Sequence, residues 1–305
     1  MKLLVAGATG FVGSRLVKAL VDAGHEVRAL TRRPEEYDGP GTAVGGDVAD
    51  PGSLAAALEG CEAAYYLVHS LDTADFAERD AEGARTFGRV ARTAQVKRII
   101  YLGGLGEEAP SGSDGSDGLS PHLRSRQDVE KFLGEAGVPV TSIRAGIIIG
   151  HGGLSWELMR QLVAHLPVMV TPRWVRTKAQ PVGLGDVVRY LTAVLDLPET
   201  VGRVYEIGGP EIMTYEQAMH RIARVQHRPL LIGPVPLLTP RLSSRWLALV
   251  TDVNVQTATN LIESMSNEVV VHDDALRRLV GLTPTPFDDT VRAALDEREA
   301  VTSDQ

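Results

Sequence analysis

Cysteine is almost missing from this chain. Among 305 residues only Cys61 is present, which excludes an intrachain disulfide and a thiolate metal cage and fits a reducing compartment. A lone cysteine in such a setting reads as a small buried apolar side chain. Excess basic charge is missing too: 31 Lys and Arg against 39 Asp and Glu leave a net charge of −8. Such a surface is not built to neutralise a nucleic-acid backbone, so no nucleic-acid partner is expected. There is no long hydrophobic run at the start. Leu3-Leu4-Val5-Ala6 stops at Gly7, too short and too early for a signal peptide or a spanning helix. The expectation is a cytoplasmic protein without a membrane partner. The eight histidines show no His-x-x-x-His or Glu-x-x-His spacing, so no metal is expected. A Gly-x-Ser-x-Gly nucleophile elbow is absent, which removes the main hydrolase class for an α/β chain.

What is present is a 44% hydrophobic composition, ample for a full core. Short aliphatic runs alternate with longer helical patterns over the first two hundred residues, the mark of βαβ units on a parallel sheet. Strands are expected at Lys2–Ala6, Glu26–Leu30, Thr42–Gly45, Ala63–Val68, Arg98–Leu102, Val140–Arg144 and Val204–Ile207. Most are continuous apolar runs, which fits strands buried on both faces. Helices are expected over Phe11–Ala23, Ser53–Leu58, Phe76–Gln95 and Leu123–Ala136, with Ser53 as an N-cap. The Gly-, Ser- and Asp-rich stretch Gly106–Pro121 reads as a mobile loop. From Gly209 the composition shifts, with Pro229, Pro234, Pro236 and Pro240 among Leu/Val-rich segments. The organisation expected is a doubly wound parallel α/β sheet in residues 1–150, completed by about 178–208. A smaller, mainly substrate-binding lobe then occupies most of 151–305.

Directly after the first strand comes Gly7-Ala8-Thr9-Gly10-Phe11-Val12-Gly13, a G-x-x-G-x-x-G loop opening a helix. Glycines there allow a tight turn and let backbone N–H groups approach a pyrophosphate at the positive end of the helix. This spacing, with Thr9 inside it, resembles the short-chain dehydrogenase/reductase superfamily. Gly46-Asp47-Val48, the run Gln180–Val187, and Tyr205–Pro210 followed by Thr214 and Glu216 resemble its extended and atypical branches, epimerase-like or NmrA-like. The resemblance covers roughly residues 1–225; beyond it, Leu238–Val271 is similar to a group of bacterial reductase-like proteins sharing the Tyr101–Gly106 run. It implies a Rossmann fold and a nicotinamide cofactor held by Gly7, Thr9, Gly10, Phe11, Val12 and Gly13. Asp47 and Val48 would meet the adenine, with a turn or cap role as the alternative for Asp47. Leu67, Val68 and His69 would pass the riboses.

An NAD-preferring site carries an acidic residue at the end of the second strand. Here the chain reads Thr31-Arg32-Arg33-Pro34, with no carboxylate until Glu35. Arg32 stands where similar NADP-binding proteins carry an arginine, and a guanidinium suits a 2′-phosphate. NADP is the expected cofactor, with Arg33 beside Arg32.

The family's catalytic set is replaced. Its serine position falls on Gly103, and its Tyr-x-x-x-Lys pair falls on His122 and Arg126. Two readings follow. In one, the protein is an NADP(H)-dependent oxidoreductase of a small, apolar enone, imine, quinone or ketone, with His122 as proton donor and Arg126 holding the nicotinamide ribose. The positive charge of Arg126 would lower the pKa of His122, and water or substrate could supply the proton instead. In the other, it binds NADP(H) without turnover, as a redox sensor or an assembly or regulatory protein. Tyr65, Tyr66 and Tyr101 read as core, with Tyr66 or Tyr101 as fallback donors. Trp156, Met159, Trp174 and Trp246 suggest an apolar or flat ligand in the lobe.

Overall fold

The computed structural model describes residues 1–70, 75–106, 118–234 and 255–303. The expected Gly106–Pro121 loop lies largely outside them, as do Pro236, Pro240, Trp246 and much of Leu238–Val271. In chain order the elements begin β1 (Lys2–Ala6), α1 (Phe11–Asp22), β2 (Glu26–Thr31), β3 (Thr42–Gly45), α2 (Pro51–Leu58) and β4 (Ala63–Tyr66). They continue α3 (Phe76–Thr93), β5 (Arg98–Gly104), α4 (Pro121–Gly134), β6 (Val140–Ala145), β7 (Ile148–Ile149) and α5 (Leu154–His165). Next come β8 (Val168–Thr171), β9 (Lys178–Ala179), β10 (Val182–Gly183), α6 (Leu184–Ala193) and β11 (Val204–Ile207). The remainder is β12 (Met213–Thr214), α7 (Tyr215–Val225), β13 (Leu231–Pro234), α8 (Val255–Ser264), α9 (Ala275–Val280) and α10 (Phe287–Ser303).

Seven strands form one parallel sheet in the order β11-β6-β5-β4-β1-β2-β3. The continuous apolar runs are explained by what covers each face. Leu3 and Val5 pack with Leu16, Leu20 and Val187 from α1 and α6. Leu4 and Ala6 point the other way, against Leu54, Phe87 and Leu133 from α2, α3 and α4. Alternate side chains of one strand therefore enter two separate cores, and neither face can be polar. The doubly wound Rossmann sheet expected from the sequence is what forms.

Two local expectations need correction. Ser53 does not cap α2; Asp50 does, accepting from the N–H groups of Gly52 and Ser53 at 3.1 Å each, with Pro51 starting the helix. A carboxylate ahead of a proline supplies both the capping acceptor and the preset φ, and it outcompetes the later serine. Strand β4 ends at Tyr66 rather than Val68, because its neighbour β1 turns away at Gly7, where φ is +86°. Leu67 still donates its N–H to the Ala6 carbonyl at 2.9 Å, and the chain then leaves the sheet.

The C-terminal helices build a lobe with its own core. Leu158 and Leu162 of α5, Met219 and Ile222 of α7, Ile262 of α8 and Val291 of α10 interlock there. Trp156, Met159 and Trp174 belong to that core, with relative exposures of 0, 1 and 7%. They fill the lobe interior and line neither of the two cavities described below, so the expectation of a ligand-facing aromatic wall fails at these positions. Large aromatic rings contribute most when fully desolvated. Helix α4, which carries His122 and Arg126, is held against β6 by Glu130. Its carboxylate receives Arg144 Nε at 3.0 Å, Arg144 Nη2 at 2.9 Å and the Ser142 hydroxyl at 2.6 Å.

Candidate functional site

The strand order reverses between β1 and β4, and ligands of open α/β sheets bind at the carboxyl ends of the strands flanking such a reversal. Gly7 leaves β1 there. A Cβ at Gly7 would lie 2.9 Å from the Leu67 carbonyl carbon, and a Cβ at Gly13 would lie 2.0 Å from the Gly7 carbonyl oxygen. The glycines let loop, helix and strand touch backbone to backbone. Helix α1 opens at Phe11 with Gly10 as its N-cap and no side-chain cap, so its first N–H groups remain available to an anion at the helix's positive end. That cradle fits the pyrophosphate of a dinucleotide.

Two cavities meet at this loop. A groove of 660 Å³ runs past Thr9, Arg32, Asp47, Val48 and Val68. A second cavity of 410 Å³ runs past Phe11, Val12, Gly13, Gly103, His122 and Arg126. Gly7, Gly10, Leu67 and His69 line both, which makes them two parts of one cleft. Of the residues expected to hold the cofactor, together with His122 and Arg126, all but Arg33 lie on its wall. That side chain pairs with Glu36 at 2.8 Å and is 70% exposed, because Pro34 starts a 3-10 turn that brings Glu36 back over it. Arg32 borders the groove with no ion-pair partner among the described residues. Asp47 takes the turn role weighed for it, its Oδ1 accepting the Ala49 N–H at 2.9 Å, and it lines the groove as well.

In the 410 Å³ cavity His122 is partly buried at the start of α4, stacked on His69 with ring centroids 4.8 Å apart. Its Nδ1 lies 3.0 Å from Ser264 Oγ of α8. Burial, then His69, then Arg126 push its pKa from 6.5 down to about 2. The charged form of His122 is thus disfavoured at neutral pH, which weighs against the expected role of proton donor. The sequence pointed to Arg126 as the cause, whereas desolvation is the larger one. Arg126, one turn further along α4, donates through Nη2 to the Leu102 carbonyl and lies over the Tyr101 ring at 5.1 Å.

The fallback tyrosines are structural. Tyr101 donates its hydroxyl to the Arg126 carbonyl at 2.8 Å, and burial pushes its pKa up to about 12. Burial drives that of Tyr66 still higher. Tyr65 is spent on the Leu191 carbonyl at 2.8 Å.

Three residues were not foreseen. Asp80 of α3, 3% exposed, accepts from His69 Nδ1 at 2.7 Å and from the Ser70 N–H at 3.1 Å. Its signal was an acidic residue on the apolar stripe with Ala84, Phe87 and Ala91. Ser264 and Asn267 reach across from the lobe. Asn267 Oδ1 accepts the Ser120 N–H at 3.1 Å and its Nδ2 donates to the Gly118 carbonyl at 3.3 Å. Nothing local in the sequence marks a contact between residues about 145 apart.

The depressed pKa of His122 makes a stability prediction. The unfolded chain binds a proton at this residue near pH 6.5 and the folded chain does not, so stability is lost as pH falls through that value. Over the two units below about pH 6, the native protein should lose about 1.4 kcal/mol per pH unit more than His122→Gln. Urea unfolding of both proteins measures it, and parallel pH profiles would contradict it.

A family model described as NAD(P)H-binding matches residues 7–163. The chain is 31% identical over 239 residues to the (4-alkanoyl-5-oxo-2,5-dihydrofuran-3-yl)methyl phosphate reductase of Streptomyces griseus subsp. griseus, covering 75% of each. It is 23% identical over 252 residues to the photosystem II assembly factor Ycf39 of Synechocystis sp., covering 79% of this chain and 72% of that one. Among solved structures, the NADPH-dependent quinone oxidoreductase QOR2 from Escherichia coli, complexed with NADPH, superposes with a TM-score of 0.76. That match covers 96% of this chain and 99% of that one, at 20% identity, a likeness of fold. No helix among the described residues is long and apolar enough to cross a membrane. The family match across half the chain and the 31% identical relative together make this protein a member of the NAD(P)H-binding family, on the fold shared with extended short-chain dehydrogenases and sugar-nucleotide epimerases.

Proposed function

We propose that this protein is an NADPH-dependent reductase, of the atypical, NmrA-like kind, acting on a small and largely apolar acceptor. The acceptor is a conjugated one, an enone, imine or quinone, in preference to a simple ketone. Residues 1–150, completed by about 178–208, serve as the cofactor half, and 151–305 supply mainly the substrate side. The observation that carries the reading is the 410 Å³ cavity opening from the glycine loop, walled by Phe11, Leu102, Ile147, Leu261 and Met265 with one guanidinium, Arg126.

Gly7, Thr9, Gly10 and the α1 N-terminus would hold the pyrophosphate, and Arg32 the 2′-phosphate. The nicotinamide, when bound, supplies a hydride. Arg126 places a fixed positive charge beside the cavity, where it favours the negative charge that develops on a neutral acceptor as it is reduced. With His122 neutral and Tyr101 bound to a carbonyl, the Ser/Tyr/Lys proton delivery of the wider family has no counterpart at these positions. A conjugated acceptor tolerates that, because its reduced anion is delocalised and can take a proton from water. The Streptomyces relative is named a (4-alkanoyl-5-oxo-2,5-dihydrofuran-3-yl)methyl phosphate reductase, and the superposed E. coli protein is named a quinone oxidoreductase. Both names support the same acceptor class.

A second reading, a non-catalytic NADP(H) sensor or assembly protein, draws support from the relative named as an assembly factor. Titration with NADPH and NADH, followed by a turnover screen of enones, imines and quinones, separates the two. NADPH consumption with any of these classes supports the reductase. Tight binding with no turnover by any of them replaces it with the sensor.

A further inference from the structure

We propose that Ser264 locks His122 in the tautomer protonated at Nδ1. The ring then offers a standing hydrogen-bond acceptor, Nε2, to the occupant of the 410 Å³ cavity, which thereby selects a ligand bearing an O–H or N–H donor. The inference deepens the reductase reading, and it rests on that reading only for the identity of the occupant.

The protons around Ser264 carry it. Ser264 Oγ lies 2.8 Å from the Asn260 carbonyl oxygen, 3.0 Å from Ser120 Oγ and 3.0 Å from His122 Nδ1. A hydroxyl has one proton to give and two lone pairs to accept with. The carbonyl can only accept, so the Ser264 proton goes to it, and both other neighbours must donate to Ser264. Ser120 is able to, since its Oγ accepts the Leu123 N–H at 3.2 Å and keeps its own proton. His122 completes the set with a proton on Nδ1. The opposite assignment would leave an oxygen lone pair facing a carbonyl oxygen at 2.8 Å. With Nδ1 protonated and the ring neutral, Nε2 is bare. It has no hydrogen-bond partner among the described residues and is not among their sealed polar atoms.

A second proton is opposed from every element around the ring. Arg126 stands on the same helix, α8 buries one side, and His69 stacks on the other. Of the two rings, His69 has the buried Asp80 carboxylate at 2.7 Å, whereas no carboxylate pairs with His122 among the described residues. The depressed pKa of His122 agrees with this placement. Nε2 therefore stays an acceptor across the neutral range. A carbonyl oxygen placed against it is repelled, while a hydroxyl, or the carboxamide N–H of a nicotinamide, is held. Ser264 is a positioning residue in this scheme, acting through His122.

The test is 15N NMR of the full-length protein labelled at histidine, recorded at neutral pH without ligand. His122 should show a protonated Nδ1 and an unprotonated Nε2. Ser264→Ala should shift it toward the Nε2-protonated form, and Ser264→Thr, which keeps the hydroxyl, should restore the first pattern. A protonated Nε2 in the native protein, or no change in Ser264→Ala, overturns the proposal. NADPH added alone distinguishes the donors: a moved His122 Nε2 signal identifies the carboxamide. If the signal stays, hydroquinone should bind about fivefold more tightly than its dimethyl ether, the worth of one neutral hydrogen bond, and the ratio should vanish in His122→Phe. If neither response appears, the donor selection is overturned. Failure to bind NADPH at all would sink the reductase reading and leave the tautomer of the free protein standing, so the two fail separately.

Discussion

Gly13→Ala is expected to abolish NADPH binding while the protein remains folded. The added Cβ would sit 2.0 Å from the Gly7 carbonyl oxygen, 2.8 Å from its carbon and 3.1 Å from the Ala8 Cα. All three are backbone atoms, so no rotamer change relieves the clash; loop and helix have to separate by more than an ångström. That displacement re-aims the free N–H groups at the start of α1, whose value to a pyrophosphate depends on their convergence. The loss should exceed about a hundredfold in affinity, since several charge-assisted hydrogen bonds of about 1.5–3 kcal/mol fail together. Overpacking should cost about 1–3 kcal/mol of stability, which the large cores of both lobes can absorb. Gly185→Ala is the control. A Cβ there meets nothing within 4 Å, and binding should be unchanged. Calorimetric titration, with circular dichroism to confirm the fold, decides the matter. Near-native affinity in Gly13→Ala would show that the pyrophosphate lies elsewhere.

Arg32→Ala should erase a preference for NADPH over NADH that is at least tenfold in the native protein. Strand β2 ends at Thr31, where an NAD-selective site would present a carboxylate, and Arg32 borders the groove without an ion-pair partner among the described residues. A guanidinium in that position is a ready partner for a phosphate dianion and meets nothing charged in a ribose hydroxyl. Its removal should cost NADPH about 1.5–3 kcal/mol, roughly tenfold to a hundredfold, and leave NADH nearly unaffected. Arg33→Ala should do neither, because Arg33 is paired with Glu36. Equal affinities for the two cofactors in the native protein, or a loss shared by both in the variant, would contradict the assignment.

What could be read from the sequence follows from how local each requirement is. The glycine loop was legible because the positive φ at Gly7 and the close approach of Gly13 to the Gly7 carbonyl arise within seven residues. The strands were legible because burial on both faces leaves no polar alternation, as Leu3 to Ala6 show. Even the Asp50-Pro51 start of α2 was there to be read, and Ser53 was mistaken for the cap only because it stood nearer the apolar run. The chemistry of His122 was not legible. Its charge state is set by burial under α8 and by a ring 53 positions earlier, and its hydrogen-bond partner is 142 positions away. The same holds for Asp80, whose use became apparent only once His69 was placed against it. Trp156 and Trp174 failed for the converse reason: composition shows that large rings are present, and only packing shows that these two face inward.

The grip of Ser264 and Asn267 on the start of α4 joins the lobe to the cofactor half at the very residue that lines the cavity. A ligand held by His122 is then held by both halves at once, and reciprocity requires the seam to tighten as the cavity fills. Occupancy should therefore be visible at a distance from the cofactor loop, as slower amide hydrogen exchange along α8 and the first turn of α4. Any change that loosens α8 should weaken the ligand by the same free energy that the ligand lends to the seam.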